Sequence, residues 1–259
     1  MSKDERKQTM KIAAIYDIHG NLPALEAVLS EIEREGVDVI VVGGDMVPGP
    51  MPREVLEVLL SLGDRVSWIR GNCERDVVEA FDGGTFSHIQ SKEVRASTVW
   101  TAGQMERRHR DFMAGLPEKI SFYVEGVGEV LFCHGSPRSD MEILTVATPE
   151  ERLREALAGV KEDVVVCGHT HMQFNRMCEG KRVVNAGSVG MPYGDPGAYW
   201  LLLGPHVGLR KTNYDLESAA ELVRKTGYPL AQDFADNNIL KPETAQDAIE
   251  YFEKMAVKG

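Results

Sequence analysis

The chain has no block of lysine and arginine, and its formal net charge is −11. Nonspecific binding to nucleic acid or to an anionic membrane surface is therefore disfavoured, and part of the negative excess can be offset by bound cations. No run approaches the ~18 apolar residues of a membrane span. The N-terminus is charged and Asp17 interrupts the apolar segment after Met10, so no secretory signal is expected. The cysteines Cys73, Cys133, Cys167 and Cys178 contain no Cys-x-x-Cys pair. That argues against a zinc ribbon and fits the reducing cytoplasm, which is the expected location. A Rossmann oxidoreductase needs Gly-x-Gly-x-x-Gly after its first strand, where this chain has Asp-Ile-His-Gly-Asn. A serine hydrolase needs Gly-x-Ser-x-Gly at an elbow, and Ala186-Gly187-Ser188-Val189-Gly190 fails that pattern because its first position is Ala. No internal repeat and no low-complexity linker is present.

What remains is an ordinary globular composition, 43% hydrophobic and 27% charged over 259 residues, enough chain to bury roughly three quarters of its unfolded surface. Apolar runs at 11–16, 37–42 and 66–70 alternate with helical periodicity over 22–35 and 52–62, which predicts parallel βαβ units. Residues 91–102 and 104–115 read as two mostly polar helices, within an insertion at about 76–117 over the open end of the sheet. The second half is hairpin-rich, with strands at 119–125, 129–133, 163–167, 172–178, 181–186, 199–203 and 207–214. Thr148-Pro149-Glu150-Glu151 reads as a capping box opening a helix to Gly159. Asp215 caps a helix to Thr226, and 242–257 forms a last one. The expected organisation is a flexible N-terminus at 1–10, an α/β domain of two sheets with outer helices at 11–214, and a helical extension at 215–259 packed on it.

Five strand ends share one punctuation: Asp17-Ile-His19, Gly44-Asp45, Gly71-Asn72, His134-Gly135 and Gly168-His169-Thr170-His171. In each, an apolar run stops at a metal-ligand side chain beside or near a glycine, which permits a sharp turn and leaves room for a bound group. Asp17 and His19, two apart, point to the same side in extended backbone. Seven donors exceed one tetrahedral zinc site and fit two metals that share a carboxylate. Imidazole and carboxylate without thiolate suit Zn, Mn, Fe or Ni.

Those residues, in order and spacing, resemble the calcineurin-like metallophosphoesterases. The resemblance spans roughly 11–204, and Gly71-Asn72-Cys73-Glu74 with His134-Gly135-Ser136-Pro137 is similar to a prokaryotic branch that carries Gly-Asn-Cys-Asp/Glu. It implies a four-layer α/β/β/α sandwich of two mixed sheets with two divalent ions between the loops. One ion would take Asp17, His19, Asp45 and His171, and the other Asp45, Asn72, His134 and His169, with Asp45 bridging. The implied chemistry is hydrolysis of a phosphoester by a metal-bridging hydroxide, since metal ligation lowers a water pKa from 15.7 to about 7.

The expected substrate is a small-molecule or nucleotide phosphoester, with diesters favoured. The alternatives are a phosphomonoesterase or protein phosphatase, and a scaffold that keeps the fold without catalysis. Many family members have a histidine, thought to protonate the leaving alcohol, where this chain has Cys73. A thiol of pKa about 8.5 is a poor substitute. Arg70, Cys73, Arg138, Ser188 and His109 are the candidate substrate contacts. His88 is a further candidate of the same kind as His109, and His206 is assigned no role.

Overall fold

Period-two alternation sends the side chains of the first strand into two different cores. The computed structural model describes residues 10–85, 89 and 91–256. The N-terminal stretch 1–9, His88 and the last residue of the expected final helix therefore lie outside the described residues. In β1 (Ile12–Ile15), Ala13 and Ile15 pack against Leu25, Val28, Ile32 and Leu56. Ile12, Ala14 and the following Tyr16 pack against Phe132, Val166 and Val184. A strand buried on both faces reads as a continuous apolar run, and this one does.

The chain continues through α1 (Leu22–Glu35), β2 (Val39–Val42), α2 (Pro52–Ser61), β3 (Val66–Trp68), α3 (Asn72–Phe81), α4 (Lys92–Gln104) and α5 (Arg107–Ala114). Then come β4 (Lys119–Val124), β5 (Gly128–Cys133), α6 (Glu150–Ala156), β6 (Val164–Cys167), β7 (Phe174–Cys178), β8 (Lys181–Asn185), β9 (Ala198–Leu203) and β10 (Val207–Thr212). The chain ends with α7 (Leu216–Arg224), α8 (Ala231–Phe234), a π-helical turn at Ala235–Leu240 and α9 (Ala245–Ala256). One five-stranded sheet has the order β10-β9-β1-β2-β3 and the other β4-β5-β6-β8-β7. β1 pairs parallel with β2 and antiparallel with β9, so both sheets are mixed. One core lies between the sheets, a second under α1 and α2, and a third between the far face of the second sheet and α6. No helix among the described residues is long and apolar enough to cross a membrane.

The 198–212 hairpin, which the sequence reading assigns to neither sheet, joins the first sheet, because β1 has β2 on only one side and offers its other edge to Leu201–Leu203. Other differences are local. Helix α3 starts at Asn72, inside the donor motif and ahead of the expected insertion, where polar residues conceal the apolar period. Thr148 does not cap α6. Its hydroxyl instead accepts from the Thr145 amide at 2.7 Å and donates to Glu253 at 2.9 Å, and Pro149 stands at the N-cap. Asp215 does cap α7, accepting from the Ser218 amide.

Candidate metal centre

Asp17 and His19 converge, but not by strand alternation. β1 ends at Ile15, and both residues turn into left-handed backbone, with φ of 52° and 46°. Asp45, His169 and His171 do the same, at 53°, 65° and 59°. Among the described non-glycine residues only Glu179, in a hairpin turn, shares that conformation. It costs about 1–3 kcal/mol per residue and persists only where the surroundings impose it. The 17–20 loop is laced to the 44–46 loop by Asp17 N–H to the Gly44 carbonyl, His19 N–H to that of Asp45 and Gly20 N–H to that of Met46, at 2.8–3.1 Å. Asn21 caps α1, accepting from the Ala24 amide. Close approach explains two glycines. A Cβ on Gly71 would lie 2.1 Å from Asp45 Oδ1, and one on Gly168 would lie 2.6 Å from Asp17 Oδ2.

Six of the seven sequence-predicted donors meet at one place, and the seventh, Asn72, adjoins it with Nδ2 3.4 Å from Cys73 Sγ. Ligand atoms of Asp17, His19 and His171 lie within 4.8 Å of one another, as do those of Asp45, His134 and His169. His19, Asp45 and Cys73 form a further such group between them. His19 Nε2 faces His171 Nε2 at 3.2 Å, and His134 Nε2 lies 3.3 Å from Asp45 Oδ2. The outward ring nitrogens are anchored: Nδ1 of His19 on the Pro48 carbonyl, of His134 on that of Gly43 and of His171 on that of Met191. Each anchor directs Nε2 into the cluster, the usual arrangement behind metal-binding imidazoles.

Three buried atoms there have no hydrogen-bond partner: Asp17 Oδ1, Asn72 Oδ1 and His134 Nε2. A buried polar atom left without a partner costs about 1–3 kcal/mol. Carboxylate, amide oxygen and imidazole are oxygen and nitrogen donors that first-row divalent ions accept, so the residues fit such a group. Charge is also unbalanced. Burial drives the Asp17 carboxyl well above its ordinary range. For His134, burial opposes protonation, but Asp45 and Asp17 outweigh it and hold its pKa at about 10. Burial and then the His134 charge lower His169 to about 4.

Glu74 had no role in the sequence reading, yet it is fully buried and accepts from the amides of Asp45 (2.8 Å), Met46 (2.8 Å) and Gly71 (2.7 Å). Burial, then Asp45, raises its pKa to about 7. Its signal was a glutamate at the third position of a helix opening at Gly71, which the unrecognised α3 obscured.

The candidate substrate contacts divide. Cys73 is in the cluster: its amide and thiol both donate to Asp45, at 3.0 Å each, and burial followed by Asp45 pushes the thiol well above its ordinary pKa. Ser188 is buried and ties the site's walls together, donating to the Asp17 carbonyl and accepting from the Met191 amide. Arg70 is ion-paired with Glu118 and Arg138 with Glu142. His109 departs from the expectation: it is fully buried at the start of α5, accepting from the Glu106 amide and bonded to Glu57, so both ring nitrogens face protein groups. A cavity of about 360 Å³ opens beside His171, lined by Gln173, Tyr193, Asp195 and Tyr199, which sequence reasoning did not find.

Two mixed five-stranded sheets flanked by helices, with donors gathered at the strand ends, define a metallophosphoesterase-type α/β sandwich. Residues 10–204 match the model of the calcineurin-like phosphoesterase superfamily domain, and the chain belongs to that family. The uncharacterised protein MJ0912 of Methanocaldococcus jannaschii is 28% identical over 242 residues, 84% of this chain and 93% of that protein. The crystal structure of a metallophosphoesterase from Sphaerobacter thermophilus superposes with a TM-score of 0.70 at 25% identity, over 88% of this chain and 98% of that one. Phosphodiesterase YfcE of Escherichia coli is 35% identical over 77 residues, 26% of this chain and 42% of that protein.

Proposed function

We propose that this chain is a phosphodiesterase with two divalent ions, one held by Asp17, His19, Asp45 and His171 and the other by Asp45, Asn72, His134 and His169. The observation that carries this reading is the trio of buried atoms without a hydrogen bond, Asp17 Oδ1, Asn72 Oδ1 and His134 Nε2, among strained donor residues. A pair of such ions, when bound, activates water at neutral pH and neutralises the oxygens of a phosphoryl group.

The chain's own contribution is positional. Carbonyls of Pro48, Gly43 and Met191 fix three imidazoles. Glu74 pins the amides around Asp45 and Gly71, which keeps the shared carboxylate from turning away. Diesters are favoured because no histidine stands at position 73 to protonate a poor leaving alcohol, and because YfcE is named a phosphodiesterase. A catalytically silent scaffold is disfavoured, since every ligand position of the resemblance is filled.

The test is hydrolysis of bis(4-nitrophenyl) phosphate and of 4-nitrophenyl phosphate with Mn²⁺, Zn²⁺, Fe²⁺ or Ni²⁺. The diester should have the larger kcat/KM. Asp45→Asn should lower turnover at least as far as loss of an outer-shell partner does, about 10²-fold. Unchanged turnover in that variant would remove the mechanism, and a monoester preference would remove the substrate assignment.

A further inference from the structure

The loop Gly168-His169-Thr170-His171 supplies two of the candidate ligands, and two backbone carbonyls meet its side chains. The Leu144 carbonyl accepts from Thr170 Oγ1 at 2.9 Å, and that of Met191 meets His171 Nδ1 at 2.7 Å. These carbonyls belong to two separate loops, one after β5 and one after β8. Helix α9 lies against both, although it stands outside the stretch 10–204 that matches the family.

On one side, Glu253 accepts from Thr145 Oγ1 at 2.6 Å, Thr148 Oγ1 at 2.9 Å and Arg152 Nη2 at 2.8 Å. Thr145 directly follows Leu144. On the other side, the Phe252 ring meets Tyr193 edge-on at 5.8 Å, and Tyr193 packs at 5.9 Å against the ring of His171. The Gly194 amide donates to the Glu243 carbonyl at 2.8 Å, just ahead of α9. Adjacent residues on a helix point about 100° apart, so Phe252 and Glu253 can engage the two loops at once.

We propose that α9 holds the His169–His171 loop in its ligating geometry, with Glu253 and Phe252 as positioning residues. The inference rests on the metal reading above. Through Glu253 the helix fixes the loop that anchors Thr170, between the two ligands, and through Phe252 and Tyr193 it braces the ring of His171. Neither residue touches substrate.

The test titrates Co²⁺ into the metal-free full-length protein and follows the visible absorption, which responds to coordination geometry. Amide hydrogen exchange at residues 141–145 and 190–194 of the metal-free protein is the second readout. Glu253→Ala and Phe252→Ala should each weaken Co²⁺ binding by about tenfold, alter the absorption bands and speed exchange in the loop each one holds. Glu253→Gln, which keeps an acceptor for the threonine hydroxyls, should recover part of the loss. Glu250→Ala, on the exposed side of α9, should match wild type. Wild-type Co²⁺ affinity, bands and exchange in folded Glu253→Ala and Phe252→Ala overturn the proposal. If Glu253→Ala fails to fold, Phe252→Ala and Glu253→Gln decide by the same readouts. Asp45→Asn separates the two failures: if it also binds Co²⁺ like wild type, the metal reading falls, and if it alone loses Co²⁺, only the role of α9 does.

Discussion

His134 and His109 are both fully buried, both sit among acidic and basic neighbours, and both are held by a hydrogen bond on Nδ1. They differ at the other ring nitrogen. His109 Nε2 is 3.0 Å from Glu57, so that imidazole is complete within the protein. His134 Nε2 lies 3.3 Å from Asp45 Oδ2, which already accepts from the Cys73 thiol, makes no hydrogen bond itself, and looks into a cluster with two more buried atoms that make none. The same contrast holds between their surroundings. Around α5, Arg107 pairs with Asp111, Arg108 with Glu57 and Arg110 with Asp82. At the strand ends, left-handed backbone and unmatched donors accumulate. Residue type does not distinguish a structural histidine from a ligand. What distinguishes them is whether the protein itself completes the side chain.

The sharpest way to break that comparison is a crossed pair of substitutions. His134→Ala should lower Mn²⁺ affinity by at least about 10²-fold, beyond what loss of an outer-shell partner costs. It should also erase most of the thermal stabilisation that a ligand bound to the folded state confers, which is about 2.7 kcal/mol at a hundred times Kd. His109→Ala should leave Mn²⁺ affinity alone and destabilise the fold by about 1–3 kcal/mol, because the Glu106 amide and Glu57 lose their partner. Calorimetry with and without Mn²⁺ measures both quantities. If the two variants shift the same quantity, the distinction drawn here is wrong.

The donors were legible because each closes an apolar run, and a run stopped by Asp, Asn or His leaves a mark in one dimension. The reason given for Asp17 and His19 was not the operative one: left-handed turns, not strand alternation, aim them. His109 was read as facing substrate because its type was visible, whereas Glu57 lies 52 residues away in sequence. The carbonyls of Gly43, Pro48 and Met191 are invisible in any sequence, since every residue has one. Most helices and strands followed from periodicity. The return of β9 to the edge of β1 did not, because strand order depends on which edge stays open after the parallel units form. Glu74 falls between the two cases. Its capping position was readable, but three amides converging on it were not.

Glu74 extends the comparison to a residue that is complete yet serves the incomplete cluster. Its carboxylate faces only donors: the amides of Asp45, Met46 and Gly71. Glu74→Gln keeps the shape but turns an NH₂ group toward at least one of those amides. Metal affinity and kcat should fall about 10–100-fold, as when an outer-shell partner is lost. KM should change less, since the residue touches no substrate. Wild-type kcat in this variant would show that the 44–46 loop holds Asp45 without it.

The smallest effect belongs to the outer surface of the structural region. Arg110 grips Asp82 with Nε at 3.1 Å to both carboxylate oxygens, pinning α5 to the end of α3. Asp82 is 43% exposed, and the guanidinium holds its carboxyl below the ordinary range. Water and salt screen such a pair, so a double-mutant cycle with Arg110→Ala and Asp82→Ala should give only a small coupling that shrinks further in high salt. Metal affinity should not move, because the contact ends on the far end of α3 from Asn72. A measurable loss of Mn²⁺ binding in Arg110→Ala would mean that α3 transmits strain along its whole length to the ligand it begins with, and the division between the two regions would have to be withdrawn.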